Sequence, residues 1–302
     1  MPGEPLVYVD GKFLPKSSAV VSVFDHGLLY GDGIFEGIRA YNGTVFKLEE
    51  HMDRLYDSAK TIRLSIPLPK HDLTEAVLET LRRNKLRDAY VRLVVTRGTG
   101  DLGVDPGLCR TPTVFIIAEP MASVLGPREP RTIRAIVSSY RRDSVDATSH
   151  EIKSLNYMNS ILAKIEANSA GVDDSILLDH RGFVSEASVT NVFVVKKGRI
   201  ATPSSAAGIL HGITRDRLIK LCSDVGIEVE ERDVTPFELL TADEVFLVGT
   251  KSEILAVGNI AGVKIGGGAA GPLTRRLYHE FSKVVQRPEE GTQVYRAESV
   301  PA

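Results

Sequence analysis

The chain has 302 residues, 43% hydrophobic and 25% charged, so it can bury a sizeable core and is long enough for two domains. Its net charge of −2, with the basic pairs Arg82-Arg83, Arg141-Arg142 and Lys196-Lys197 read as solvated faces, excludes a nucleic-acid surface, which needs clustered Lys and Arg. The isolated Cys109 and Cys222 make neither a disulfide framework nor a metal site and suit a reducing cytoplasm; no secretory signal is visible, and no apolar run approaches the ~20 residues of a membrane helix.

Leu6 to Val9, a turn at Asp10-Gly11 and Lys12 to Leu14 read as a hairpin, because Asp-Gly suits the positive dihedrals of a tight turn. Ile34 to Tyr41 has strand character, and Asn42-Gly43 is a second hairpin turn. From Lys47 to Leu64 the period changes: Leu48, Met52, Leu55, Ala59 and Ile62 mark one helical face, as Leu73, Val77 and Leu81 do over Asp72 to Asn84. Tyr90 to Arg97 and Thr113 to Glu119 return to strand. The Pro-rich stretch 120–130 is the predicted linker, between a smaller domain at 1–119 and a larger one at 131–302. Beyond it, Thr132 to Ser139, Ser175 to Leu178, Val192 to Lys196, Arg199 to Thr202, Glu244 to Val248 and Ile254 to Val257 read as strands. Asn156 to Ala170, Thr214 to Val225 and Leu273 to Val285 read as helices, the first two closed by Gly171 and Gly226. The polar tail from Arg287 is expected to fray.

Lys153 stands at the mouth of a predicted helix with Tyr157 four residues on, so both would project from its first turn. A lysine nucleophile needs a neutral amine, and such a set could hold an aldehyde cofactor as a Schiff base. Alone, Lys153 reads as a partly buried surface lysine and Tyr157 as a core aromatic. Glu186 interrupts apolar and small residues and is costly to bury unless paired; a protonated pyridine nitrogen would be a fitting partner. The alternative is a strand-end glutamate facing water. Gly212-Ile213-Thr214-Arg215 precedes a helix, where free amides and the dipole favour an anion, unless Thr214 is an ordinary N-cap. Gly249-Thr250 could supply a further amide and hydroxyl, while the spacing of Arg54 on its amphipathic helix fixes no role.

Tyr30-Gly31-Asp32-Gly33-Ile34-Phe35-Glu36-Gly37-Ile38-Arg39, His51-Met52-Asp53-Arg54-Leu55, Lys153-Ser154-Leu155-Asn156-Tyr157, Glu186 to Phe193 and Gly208 to Arg215 occur in that order. From Tyr8 to about Lys283 the chain resembles the fold-type IV pyridoxal 5'-phosphate (PLP) transaminases, most closely the branched-chain amino-acid aminotransferases. The resemblance implies an α/β (α+β two-domain), D-amino-acid-aminotransferase-like fold, with the cofactor at the domain interface and the PLP lysine in the larger domain. It implies a homo-oligomer, a dimer or dimer-based hexamer. Lys153 is then the Schiff-base lysine and proton shuttle, Glu186 the partner of the pyridine nitrogen and Tyr157 that of the ring oxygen. Leu210 packs on the ring, and Arg54, Ile213, Thr214 and Thr250 hold the phosphate. Tyr30, Phe35, Gly37, Tyr90 and Arg92 surround the substrate, with Gly249, Thr250 and Lys251 approaching its α-carboxylate. Arg97 is expected near the pocket, widening specificity toward acidic 2-oxo acids or primary amines.

The implied reaction exchanges the amino group between Leu, Ile or Val and 2-oxoglutarate, so the partners are amino acids and 2-oxo acids rather than nucleic acid or membrane. The rivals on the same scaffold are a D-amino-acid or (R)-amine transaminase and an aminodeoxychorismate lyase. A non-catalytic binding protein with a degenerate site is the rival from another class.

Overall fold

The computed structural model describes residues 4–122 and 129–295. The chain divides into two compact units. The first comprises Met1–Ser123, Ile152–Asn156 and Val285–Ala302, and the second Val124–Glu151 and Tyr157–Val284. The break falls between residues 123 and 124, inside the predicted linker, whose residues 123–128 lie outside the described residues.

The first unit carries β1 (Leu6–Val9), β2 (Lys12–Pro15), α1 (His26–Tyr30), β3 (Gly33–Tyr41), β4 (Thr44–Phe46), α2 (Leu48–Thr61), α3 (Lys70–Arg83), β5 (Ala89–Thr96) and β6 (Thr113–Pro120). With β16, described below, its strands form a seven-stranded sheet in which every pairing is antiparallel. Side chains alternate across a strand, so β3 and β5 each present two faces. Ile34, Ile38 and Ala40 with Val91, Leu93 and Val95 pack on Leu48, Met52, Leu55, Leu73, Val77 and Leu81 of α2 and α3. Glu36 shares the parity of Ile34 and Ile38 and is therefore carried into this core, fully buried.

In the second unit β7 (Thr132–Arg141), α4 (Met158–Ser169), β8 (Asp174–Leu178), β9 (Val184–Ala187), β10 (Asn191–Lys196) and β11 (Arg199–Thr202) come first. They are followed by α5 (Ile213–Asp224), β12 (Val229–Glu231), α6 (Pro236–Leu240), β13 (Glu244–Gly249), β14 (Glu253–Ile260), β15 (Val263–Lys264) and α7 (Pro272–Val284). Because β9 pairs with both β8 and β10, the strands β10-β13-β14-β7-β8-β9 close on themselves, with β11 and β12 continuing from β10. The core is aliphatic, built on Ile133, Ile176, Val192, Val245, Leu247 and Val257.

Two sequence expectations are corrected. Lys153 is not on a helical first turn: α4 begins at Met158, and Ile152–Asn156 is grouped with the first unit, where Ile34 and Ser154 form a β-bridge. The larger C-terminal unit therefore does not carry the lysine. The tail from Arg287 does not fray before 295. Its β16 (Gly291–Gln293) pairs antiparallel with β4, Val294 is fully buried, and the Tyr295 hydroxyl donates to the Leu86 carbonyl at 2.9 Å. Both pairings join residues far apart in sequence, which local periodicity cannot register.

Candidate active site

In the first unit, the β3 face turned away from the helices carries Phe35, Gly37 and Arg39, beside Tyr90 and Arg92 of β5. Phe35 is buried, with the Arg92 guanidinium carbon 4.3 Å and Lys153 Nζ 4.7 Å from its ring centroid. These are cation–π contacts, with the ring quadrupole attracting both cations. Arg92 Nη2 donates to the Tyr90 hydroxyl at 3.2 Å. A Cβ on Gly37 would overlap that hydroxyl, so a larger residue there would have to displace the Tyr90 side chain. The structure thus gathers Phe35, Gly37, Tyr90, Arg92 and Lys153 into one cluster. Tyr30, at the end of α1, is tied to the loop after β5: its hydroxyl accepts from Gly103 N at 2.9 Å, and its ring meets His26 edge-on.

Lys153 is held by its main chain. Its N–H donates to Ser58 Oγ on α2 at 3.2 Å, and its carbonyl accepts from Phe35 N on β3 at 3.0 Å. Leu155 N donates to Gly33 O at 2.9 Å. On the helix face of β3, Glu36 Oε1 accepts from Arg54 Nε at 2.8 Å, and Oε2 accepts from Arg54 Nη2 at 2.8 Å and from His51 Nδ1 at 2.7 Å. Burial pushes the Glu36 carboxyl up, but the charge of Arg54 and the His51 hydrogen bond outweigh it and hold the group well below the usual carboxylate range. Burial pushes His51 down against the pull of Glu36. Burial thus works against a charge on the His51 ring while the carboxylate beside it favours one.

In the second unit, Glu186 on β9 stands opposite Asn191 on β10. Its Oε2 accepts from Asn191 Nδ2 at 3.0 Å and from Leu210 N at 3.1 Å, and its Oε1 lies 3.2 Å from Arg142 Nη2. Arg142 also donates to Asn159 Oδ1, Ser160 Oγ and the Ala187 carbonyl. Asn191 Nδ2 further donates to the Leu210 carbonyl at 2.9 Å, so both backbone groups of Leu210 are tied to this network. Gly212 precedes α5, and a Cβ on it would overlap Asn191 Oδ1. Among the described residues no side chain caps α5, whose first residues are Ile213 and buried Thr214; amides at such an end have no intrahelical partner. Tyr157 occupies the N-cap position of α4 and is half-buried. Gly249 closes β13 opposite Glu253, with Thr250, Lys251 and Ser252 forming the turn between them.

A family model described as amino-transferase class IV matches residues 33–260. The chain belongs to the class IV aminotransferases. A relative in Methanocaldococcus jannaschii is 54% identical over 289 residues, spanning 96% of this chain and 99% of that one. The branched-chain-amino-acid aminotransferase of Escherichia coli K12 is 37% identical over 281 residues, 91% of each chain. The crystal structure of an E. coli branched-chain amino acid aminotransferase superposes with TM-score 0.92 at 35% identity, covering 97% of this chain and 100% of that one. The T.th. branched-chain amino acid aminotransferase, solved with pyridoxamine 5'-phosphate, also superposes with TM-score 0.92, at 38% identity over 98% and 100% of the chains.

The residues of this class IV aminotransferase suit pyridoxal 5'-phosphate. The second unit offers a buried carboxylate, the uncapped end of α5, and Thr190 Oγ1, which is buried without a partner among the described residues and borders Gly249. The open alternatives at single residues narrow accordingly. Glu186 does not face water, Thr214 is not an N-cap, and Tyr157 is not a core aromatic. Lys251 is exposed.

Two residues depart from expectation. Arg97 is committed to neighbours within the first unit. It donates to both Asp32 oxygens at 2.8 and 2.9 Å and to the Ile62 and Arg63 carbonyls at the end of α2, at 2.8 and 2.9 Å. Its distance of five residues from Arg92 puts it on the other face of an extended chain, where a cation suits a helix C-terminus. Arg142 is not on a solvated face but only 2% exposed. Sequence reasoning also passed over Glu36, His51, Ser58 and Asn191. The available signals were a lone carboxylate on the core parity of β3 and the spacing of His51, Arg54 and Ser58 along one face of α2.

Proposed function

We propose that the protein is a PLP-dependent transaminase that passes the amino group of L-leucine, L-isoleucine or L-valine to 2-oxoglutarate. The observation that carries this reading is the anchored Lys153, fixed at both main-chain polar groups while its Nζ lies over Phe35. PLP would be held by Lys153, with Arg54, Ile213, Thr214 and Thr250 on its phosphate, Tyr157 at its ring oxygen, Leu210 on its ring face and Glu186 at its pyridine nitrogen. When bound, the cofactor supplies an electron sink for the bond broken at the substrate α-carbon.

With the cofactor bound, Lys153 Nζ would take the proton from that carbon and deliver it to the cofactor carbon that carries the transferred nitrogen, while its main chain stays anchored to β3 and α2. Glu186 would keep a proton on the ring nitrogen of the bound cofactor, and Arg142 holds Glu186 in place by pairing with it. Phe35, Gly37, Tyr90 and Arg92 line the substrate side, and Gly249, Thr250 and Lys251 receive the α-carboxylate. The Tyr90 hydroxyl above Gly37 narrows that face. Discrimination among Leu, Ile and Val is weak, since one methylene is worth ~1–3 kcal/mol in such a pocket. The commitment of Arg97 to Asp32 removes the feature that pointed to acidic 2-oxo acids or primary amines.

The assembly is a homo-oligomer, at least a dimer. Val20, Val23, Phe24, Leu28, Leu102 and Val104 support this, all more than half exposed on the first unit. Mass measurement in solution tests it. A cytoplasmic setting accords with two unpaired cysteines and with the lack, among the described residues, of any helix long and apolar enough to cross a membrane. The decisive experiment adds L-leucine to the PLP-loaded protein and follows the visible band. L-leucine should bleach it, and the reading fails if D-alanine does so while L-leucine leaves it unchanged.

A further inference from the structure

Three contacts link β3, α2 and the lysine segment into a closed frame. β3 holds the Lys153 carbonyl through Phe35 N, and α2 holds the Lys153 N–H through Ser58 Oγ. Between these two anchors, the next residue of β3, Glu36, is bonded to two residues of the same α2 face, His51 and Arg54. The carboxylate is fully buried among Ile34, Ile38, Met52 and Leu55, where desolvating a charge is costly unless several partners satisfy it. An apolar residue at 36 would pack there without that cost, so packing does not account for the carboxylate. Its two parallel bonds to Arg54 fix the plane of the guanidinium, which a single contact would leave free to rotate.

We infer that Glu36, braced by His51, is a positioning residue for PLP binding: it sets the guanidinium of Arg54 and the spacing of the β3 and α2 anchors of Lys153. The inference rests on the proposed PLP chemistry and adds residues that need not touch the cofactor. It also separates two effects of opposite sign. A carboxylate that only offset the charge of Arg54 would weaken the hold on a phosphate, so its neutralisation would tighten binding. A carboxylate that aims Arg54 makes neutralisation loosen it.

The test is PLP titration of the cofactor-free full chain, followed by the protein fluorescence and the visible band, for wild type, Glu36→Gln and Leu73→Ala. Leu73 is buried on α3 outside the cluster, so its truncation controls for loss of stability alone. Glu36→Gln is expected to bind PLP at least ~10-fold more weakly, the scale of one lost charge-assisted hydrogen bond, and to displace the pH midpoint of the visible band. Leu73→Ala should leave both unchanged. Equal or tighter binding by Glu36→Gln, with an unmoved midpoint, overturns the inference and leaves the proposed function standing. Failure of the wild type to bind PLP would instead strike the functional reading, and this inference would fall with it. If Glu36→Gln does not fold, His51→Leu and His51→Asn decide. Asn can restore a donor where Nδ1 stands, so Leu should weaken binding and Asn recover it; no effect of either overturns the inference.

Discussion

Replacing Arg142 with Met keeps much of the aliphatic stem and removes the head group, so it isolates what the guanidinium does for Glu186. Arg142 is 2% and Glu186 6% exposed, and their closest approach is 3.2 Å. Removing one partner of a buried ion pair costs ~3–5 kcal/mol, because the remaining charge is left uncompensated. Here Asn191 Nδ2 and Leu210 N still satisfy Oε2, which places the expected loss near the lower end, ~3 kcal/mol. The assay is urea unfolding of the cofactor-free protein, since a bound ligand would add its own stabilisation. It should be read on the transition that shifts, because a chain of two units need not unfold in one step. Adding Glu186→Gln to Arg142→Met removes the stranded charge and should recover ~1–3 kcal/mol, the size of coupling between residues in contact. A loss below ~1 kcal/mol for Arg142→Met, or no recovery in the double variant, would refute the reasoning. The guanidinium would then contribute little to holding the buried Glu186.

Gly37→Ala should force the Tyr90 hydroxyl aside, lowering stability by ~1–3 kcal/mol and raising KM for L-leucine more than it lowers kcat, as steady-state kinetics would show. Lys153→Ala should leave the PLP band unresponsive to L-leucine; normal turnover by that variant would remove the lysine from the mechanism. Glu36 and His51 are both shifted down in the folded protein, so the unfolded chain binds protons first as pH falls and stability drops with acidification. The drop should begin below ~6.5 for His51 and steepen below ~4.3 for Glu36, and His51→Leu should flatten the first part of the urea midpoint against pH. Burial pushes the Cys222 thiol up to about 12, so a thiol-alkylating reagent at neutral pH should leave it unlabelled until urea unfolds the chain, as peptide mass mapping would report.

Sequence carried the local elements well because their signals are local. The Asp10-Gly11 and Asn42-Gly43 turns and the apolar stripe of α2 lie where periodicity and turn chemistry place them. The short β12 carries no local signal and holds its place by pairing with β11, while β9, the strand-like segment of Glu186, pairs with both β8 and β10. The partners of Arg97 follow from its register: five residues from Arg92 along an extended chain reverse the face. Arg142 was hidden by its neighbour: Arg141-Arg142 reads as a charged pair, yet Arg142 follows the end of β7 and is drawn inward by Glu186 and Ser160. The resemblance identified Lys153 and Glu186 as residues, but their partners depend on pairings that join positions 35 with 153 and 186 with 191 and 210.

The placement of Lys153 explains why its segment is grouped with β3 and α2 rather than with the barrel strands that flank it in sequence. A proton-carrying lysine must move its Nζ while its Cα stays fixed, or the distance it carries the proton would vary from one turnover to the next. On the first turn of α4 its amide would be one of the unpaired donors of a helix end and would lack such an anchor. In the bridge to β3, both main-chain groups are instead bonded to elements that also carry Phe35 and Arg54. The ring beneath Nζ, the arginine that would receive the phosphate and the base of the lysine itself thus share one frame. A displacement of α2 against β3 would move all three, and that makes a buried carboxylate between those two elements worth its desolvation.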